Sequence, residues 1–157
     1  MQKLVILVGS LYGEVVMKTD KLVWERSRGT FSLSILEKLE VEKSIVFPKE
    51  YKAILENYNG AHPSKSLVNI EGNREVVFES LLNWDSSRKA NIFFWIECIE
   101  RETGLSSLIP FGKDPFGNLF CFIFNKKENY EVVFWDHETN KLYRINDSFN
   151  SFLCNLY

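Results

Sequence analysis

Asp136, His137 and Glu138 stand side by side in this chain. An acid–imidazole–acid run is the first place to look for a metal site or a general base. Neighbours on a strand point to opposite faces, so the three cannot converge on one ion, and the other histidine, His62, lies in a distant turn. No metal is expected, and the run reads as the solvated tip of a hairpin. Asp114 and Asp136 each follow a strand-like run and could share one sheet edge, where two carboxyls at suitable separation do glycosidase chemistry. The competing reading makes Asp114 a turn former. Cys98, Cys121 and Cys154 are odd in number and widely spaced, with no CxxC. They read as reduced, inert packing thiols rather than as zinc ligands, a disulfide framework or activated nucleophiles. No GxSxG is present. The glycine-rich turn Gly112-Lys113-Asp114-Pro115-Phe116-Gly117 is not followed by a GK[ST] helix, so it is not expected to cradle a phosphate. No catalytic centre and no cofactor are expected.

The bulk composition points the same way. A length of 157 residues suits one domain with its own core. A net charge of −2 without a basic stripe argues against direct nucleic-acid binding. Lys3 followed by Leu4-Val5-Ile6-Leu7-Val8 is too short to span a bilayer and lacks a small-residue cleavage site, so it reads as a strand. No membrane role is expected, and the thiols suit the cytoplasm. Aromatic residues make up 15% of the chain. That is more than a core of this size needs, which leaves some for an interface, where Trp, Tyr and Phe are enriched.

The elements that position these residues alternate. Residues 3–8 and 11–17 form a possible hairpin, and 22–26 a short strand. Ser32 or Ser34 can cap a helix that buries Ile35, Leu36 and Leu39 and turns Glu37, Lys38 and Glu40 outward. Pro48 starts a second helix with Tyr51, Ile54, Leu55 and Tyr58 on one stripe, ended by Asn59-Gly60. Strands are expected at 66–71 and 75–82. A loop at Trp84-Asp85-Ser86-Ser87 leads to a helix over about 88–103, with core Trp95, a Glu97–Arg101 pair and Gly104 as terminator. Strands at 108–111, 119–124, 131–135 and 141–145 form a meander. Asp147 or Ser148 caps a last helix through Phe149, Phe152 and Leu153. The sum is an α+β fold: a mixed, mainly antiparallel sheet with helices packed around it.

Three segments, in order, resemble the SUKH superfamily, named partly for yeast regulators of cell-wall synthesis. Phe47-Pro48-Lys49-Glu50-Tyr51-Lys52 with Tyr58-Asn59-Gly60-Ala61-His62-Pro63 is similar to its first element, Ala61 standing for a second glycine and Phe47 for a leucine. Ile109-Pro110-Phe111-Gly112-Lys113-Asp114-Pro115-Phe116-Gly117-Asn118 resembles its turn element. Val132-Val133-Phe134-Trp135-Asp136-His137-Glu138, with Ile145 to Leu153 including Ser148 and Phe149, resembles its ending. Trp24 also falls in a family-like Lys-x-x-Trp-Glu-Arg segment. The likeness runs from Met17 to Tyr157. Residues 1–16 lie outside it and read as an N-terminal extension or as upstream of an alternative start at Met17.

The resemblance implies an α+β fold without a catalytic centre. It gives Pro48, Tyr51, Asn59, Gly60, Pro63, Gly112, Gly117, Asn118, Ser148 and Phe149 motif roles in the structure. It also implies a function: bacterial members resemble immunity proteins that bind a cognate polymorphic or contact-dependent toxin domain, often a nuclease, and block it in the cytoplasm. The alternative is a cytosolic scaffold or regulatory adaptor, as among fungal members. For toxin binding, Asp85, Asp114, Asp136 and Glu138 are the loop-tip acids that would complement a cationic site, with Trp84, Phe116 and Trp135 as anchors among them.

Overall fold

The computed structural model describes residues 22–157. The strand-like runs at 3–8 and 11–17, the Gly9-Ser10 hairpin between them and the extension over 1–16 lie outside the described residues. The architecture is α+β, as the alternating pattern predicts. Strand β1 (Trp24–Glu25) leads to helices α1 (Leu33–Lys43) and α2 (Lys49–Tyr58), then to β2 (His62–Pro63), β3 (Leu67–Ile70), β4 (Arg74–Val77) and β5 (Ser80–Leu81). Helix α3 (Ile92–Thr103) is followed by the meander β6 (Leu108–Lys113), β7 (Leu119–Lys126), β8 (Asn129–Asp136) and β9 (Lys141–Asn146), and by α4 (Phe149–Cys154). Strands β5 to β9 make one antiparallel sheet in sequence order, while β1 pairs with β2 and β3 with β4.

Both faces of the central sheet are covered. Strand β7 is buried from Leu119 to Phe122, which requires packing above and below. On one face Phe120, Phe122 and Phe134 join Phe111, and helices α2 and α4 lay Tyr51 and Phe149 onto them. The Phe111 and Phe122 rings stack at 4.4 Å, and the edge-to-face contacts around them are the arrangement favoured by aromatic quadrupoles. The aromatic excess is therefore mostly core. Helix α3 packs against β6, where Ile92, Ile96 and Ile99 are buried.

Two backbone irregularities make the Pro110-Phe111-Gly112 sequence legible. The β6–β7 register shifts between Pro110 and Gly112, a bulge that turns Phe111 into the aromatic cluster. At Gly112 the Phe78 ring takes the place of a side chain. A Cβ there would lie 2.1 Å from Phe78 Cε2.

Several local expectations are corrected. Glu40 is buried, not outward, because its carboxylate pairs with Lys52 of α2. Ile35 is exposed. Ser32 caps α1 by position only, its hydroxyl meeting Ser34 Oγ at 2.8 Å. The run 75–82 is split into β4 and β5. Helix α3 starts at Ile92 rather than near 88, because Asn91 supplies the cap by accepting from the Phe94 N–H. Arg101 lies 3.6 Å from Glu102 instead of bridging to Glu97. Trp95 is only partly buried, with Phe94 exposed beside it. Cys121 is buried, and its thiol is held protonated by that burial, but Cys154 is exposed and Cys98 partly so. Gly104 and Ser148 act as expected, as the left-handed end of α3 and the side-chain cap of α4.

Candidate functional site

Two polar clusters are built from the motif residues, and each turns on a buried asparagine. The first lies where α2 ends. Asn59 Nδ2 donates to the Arg28 carbonyl at 3.0 Å, to the Thr30 carbonyl at 3.3 Å and to Asn83 Oδ1 at 2.8 Å. Its Oδ1 accepts from the Trp84 N–H at 2.9 Å. One amide thus staples the chain at 28–30 to the chain at 83–84. Gly60 follows with φ +67°, and a side chain there would strike Asn83 Nδ2 at 2.8 Å. This is why Asn-Gly ends α2: the amide satisfies buried backbone groups and glycine permits both the left-handed turn and the close approach.

Trp84 and Asp85 belong to this cluster. Trp84 is buried, its Nε1 donating to Tyr51 Oη at 2.9 Å, with Phe31, Phe47 and Phe93 edge-on around the ring. It is a core residue, not a surface anchor, because the loop that carries it is drawn inward by Asn59. Burial pushes the Tyr51 hydroxyl well above the ordinary tyrosine range. Asp85 accepts from Ser87 Oγ at 2.6 Å, from the Ser87 N–H at 3.0 Å and from the Thr30 N–H at 3.0 Å, with Arg88 3.8 Å away. Those bonds to the ionised form, Ser87 first, lower its pKa to about 2.

The second cluster caps the sheet at the end where β6 meets β7 and β8 meets β9. Asp114 Oδ1 accepts from the Phe116 and Asn118 N–H groups, both at 2.8 Å, and its Oδ2 accepts from Asn118 Nδ2 at 2.8 Å. Asp136 repeats the device in the next turn. Its Oδ1 accepts from the Glu138 and Thr139 N–H groups at 3.1 and 3.3 Å, and its Oδ2 from Arg74 at 3.1 Å. The Arg74 guanidinium, more than the turn amides, pulls the Asp136 carboxyl below its ordinary pKa. Asn118 ties the two turns together, since its Oδ1 meets the His137 N–H at 3.1 Å and His137 Nδ1 at 2.7 Å. Trp135 is buried, with Nε1 donating to Asn140 Oδ1 at 2.8 Å. Asn140 in turn reaches the Glu102 carbonyl at the end of α3, at 3.0 Å.

Phe116, 75% exposed, is outward at this end together with His137 and Glu138, beside exposed Pro115, Thr139, Asn140 and Lys141. Asp114 and Asp136 are buried and hold their own turns. Their carboxylates face backbone N–H groups, the Asn118 amide and, for Asp136, a guanidinium, so both act as turn formers. Among the described residues no three His, Cys, Asp or Glu side chains are placed to hold a metal ion. A hollow of about 650 Å³ lies elsewhere, between α1 and Lys127, and contains the Glu40–Lys52 pair.

A family model described as SUKH_6, SMI1-KNR4 cell-wall, matches residues 34–153. The chain belongs to the SUKH superfamily. No curated protein matches it closely enough to add a relative. The SUKH match includes both asparagines, Asn59 and Asn118, and begins after the 28–30 segment that Asn59 staples. The residues that carry the resemblance are for the most part the ones that hold the fold: Tyr51 accepts from Trp84, Asn59 and Asn118 staple loops, Gly112 seats Phe78, and Phe149 packs on Phe111. Pro48 sits just before α2 and Pro63 in β2 opposite Trp24. Gly117 takes φ +91°, with the His137 ring 3.5 Å from where its Cβ would be.

Of the predicted partner-binding residues, the fold brings Asp114, Phe116, Trp135, Asp136 and Glu138 to one end of the sheet and leaves Trp84 and Asp85 with the Asn59 cluster. Only Phe116 and Glu138 are exposed at the shared end. Sequence reasoning weighed His137 only as a metal ligand and missed its place in the bridge. The signal was present in Asp-Pro-Phe-Gly-Asn, since an aspartate four residues before an asparagine in a tight turn closes on it.

Proposed function

We propose that this chain works by binding another protein, as a non-enzymatic immunity protein that occludes a cognate toxin domain in the cytoplasm. SUKH membership supports protein recognition in general. The observation that carries the surface assignment is Phe116, a large apolar side chain held 75% in solvent on a turn braced by Asp114 and Asn118. Bulky aromatics on rigid turns lose little entropy on docking and serve as hot spots. Asp114, Asp136, Trp84 and Trp135 contribute by shaping the turns, not by touching the partner. The acidic steering expected from four loop-tip carboxylates is reduced to Glu138 at this end, with Asp85 apart from it.

The test is co-expression with the product of the adjacent gene. If that product arrests growth, this chain restores it and the two co-purify, the reading stands. Capture without protection would favour the adaptor role, and neither capture nor protection would remove the immunity reading.

A further inference from the structure

The hydrogen bonds at the sheet end fix which kind of side chain Phe116 and its neighbours can receive. Asn118 Nδ2 is committed to Asp114 Oδ2 at 2.8 Å, so the atom facing His137 is the amide oxygen. That oxygen accepts from the His137 backbone N–H at 3.1 Å and meets Nδ1 at 2.7 Å. Two acceptors do not bond, so Nδ1 carries the hydrogen and the neutral ring has its lone pair on Nε2. His137 is exposed, and among the described residues no donor is recorded on Nε2. The chain Asp114–Asn118–His137 therefore locks an imidazole in one tautomer with its acceptor free. Glu138, exposed and next in sequence, adds a carboxylate. Two of the nearby cations are engaged: Lys113 lies 3.6 Å from Glu79, and Arg74 holds Asp136. Lys141 stands opposite Asp136 in the β8–β9 register.

The surface thus offers an aromatic face, an imidazole acceptor and a carboxylate. A guanidinium satisfies all three, because it stacks on aromatic rings and donates in a planar fork. We propose that the Phe116–His137–Glu138 end of the sheet is a docking site for an arginine side chain on the partner protein. The inference rests on the protein-binding reading, not on the partner being a toxin.

It is tested on the full chain by amide NMR titration with acetyl-Gly-Arg-Gly-amide, against acetyl-Gly-Glu-Gly-amide. The arginine peptide should shift the amides of Phe116, Gly117, His137 and Glu138, and the glutamate peptide should not. Phe116→Ala should weaken the response about tenfold. His137→Asn is the sharper variant. It keeps a donor where Nδ1 stood, and so the bridge to Asn118, but deletes Nε2. It should weaken arginine binding while leaving the Asn118 side-chain amide resonances in place. Equal shifts with both peptides, shifts confined to other surfaces, or an undiminished response in both variants would overturn the proposal. Those outcomes would leave capture of the adjacent gene product unaffected, so the two readings fail separately.

Discussion

Asn59 and Asn118 perform the same task at two places in the fold, and the contrast between them separates architecture from recognition. Each is buried, each bridges two loops, and each has its amide orientation fixed by partners on both sides. Around Asn59 everything large turns inward: Trp84 is drawn under the loop, and Tyr51 and Phe47 close over it. Around Asn118 the bracing is as dense, yet Phe116 and His137 are left outside. A rigid polar scaffold with no exposed aromatic on it is a staple. The same scaffold carrying a bare aromatic ring is a presentation device.

The largest effect should come from breaking the staple. Asn59→Ala strips four partners at once and leaves the buried Trp84 N–H and the Thr30 carbonyl without the amide, while the Arg28 carbonyl keeps Asn83 Nδ2. At about 1–3 kcal/mol for an unsatisfied group, a loss on the order of 3 kcal/mol is expected, read from the denaturant midpoint. A loss below roughly 1 kcal/mol would mean water replaces the amide.

Gly112→Ala comes next. The added methyl meets Phe78 at 2.1 Å, and overpacking of this kind costs about 1–3 kcal/mol. The double variant Gly112→Ala with Phe78→Leu should recover part of that cost if the ring is the obstacle. Tyr51→Phe removes the acceptor of Trp84 Nε1 and should cost about 1–2 kcal/mol, with a change in tryptophan fluorescence in the folded state.

A pH experiment sharpens the comparison, since Asp85 belongs to the Asn59 side. Its folded-state pKa lies at about 2 against an ordinary 3.8. A depressed carboxyl stabilises the fold above its unfolded pKa, and that contribution is lost as pH falls. Thermal stability should therefore drop between about pH 4 and pH 2, and Asp85→Asn should flatten part of the drop. An unchanged profile in the variant would place the acid sensitivity elsewhere, Asp136 with Arg74 being another depressed carboxyl.

Much of the fold was legible in the sequence because the signals were local and redundant. The stripe Tyr51, Ile54, Leu55, Tyr58 gave α2, the apolar runs separated by turn residues gave the meander, and Gly104 and Ser148 gave helix ends where they occur. The site was less legible. Trp84 and Trp135 look like surface residues beside Asp85 and Asp136, since nothing in the local pattern shows that Tyr51 and Asn140 wait to accept their N–H groups. Asp114 and Asp136 look like free acids because the amides that occupy them follow within a few residues and form bonds only once the turn closes. Glu40 looked solvated because its partner Lys52 lies on another helix. In each case a long-range or turn-dependent partner decided the outcome, which periodicity does not report.

Phe116→Ala gives the most direct measurement of the central claim. The ring is bare, so its removal should change stability by less than about 0.5 kcal/mol, while affinity for the adjacent gene product should fall at least about tenfold. Measured on the same preparation, unchanged melting with lost binding is the result this account predicts. Unchanged melting with unchanged binding would contradict it and move the interface away from this end of the sheet.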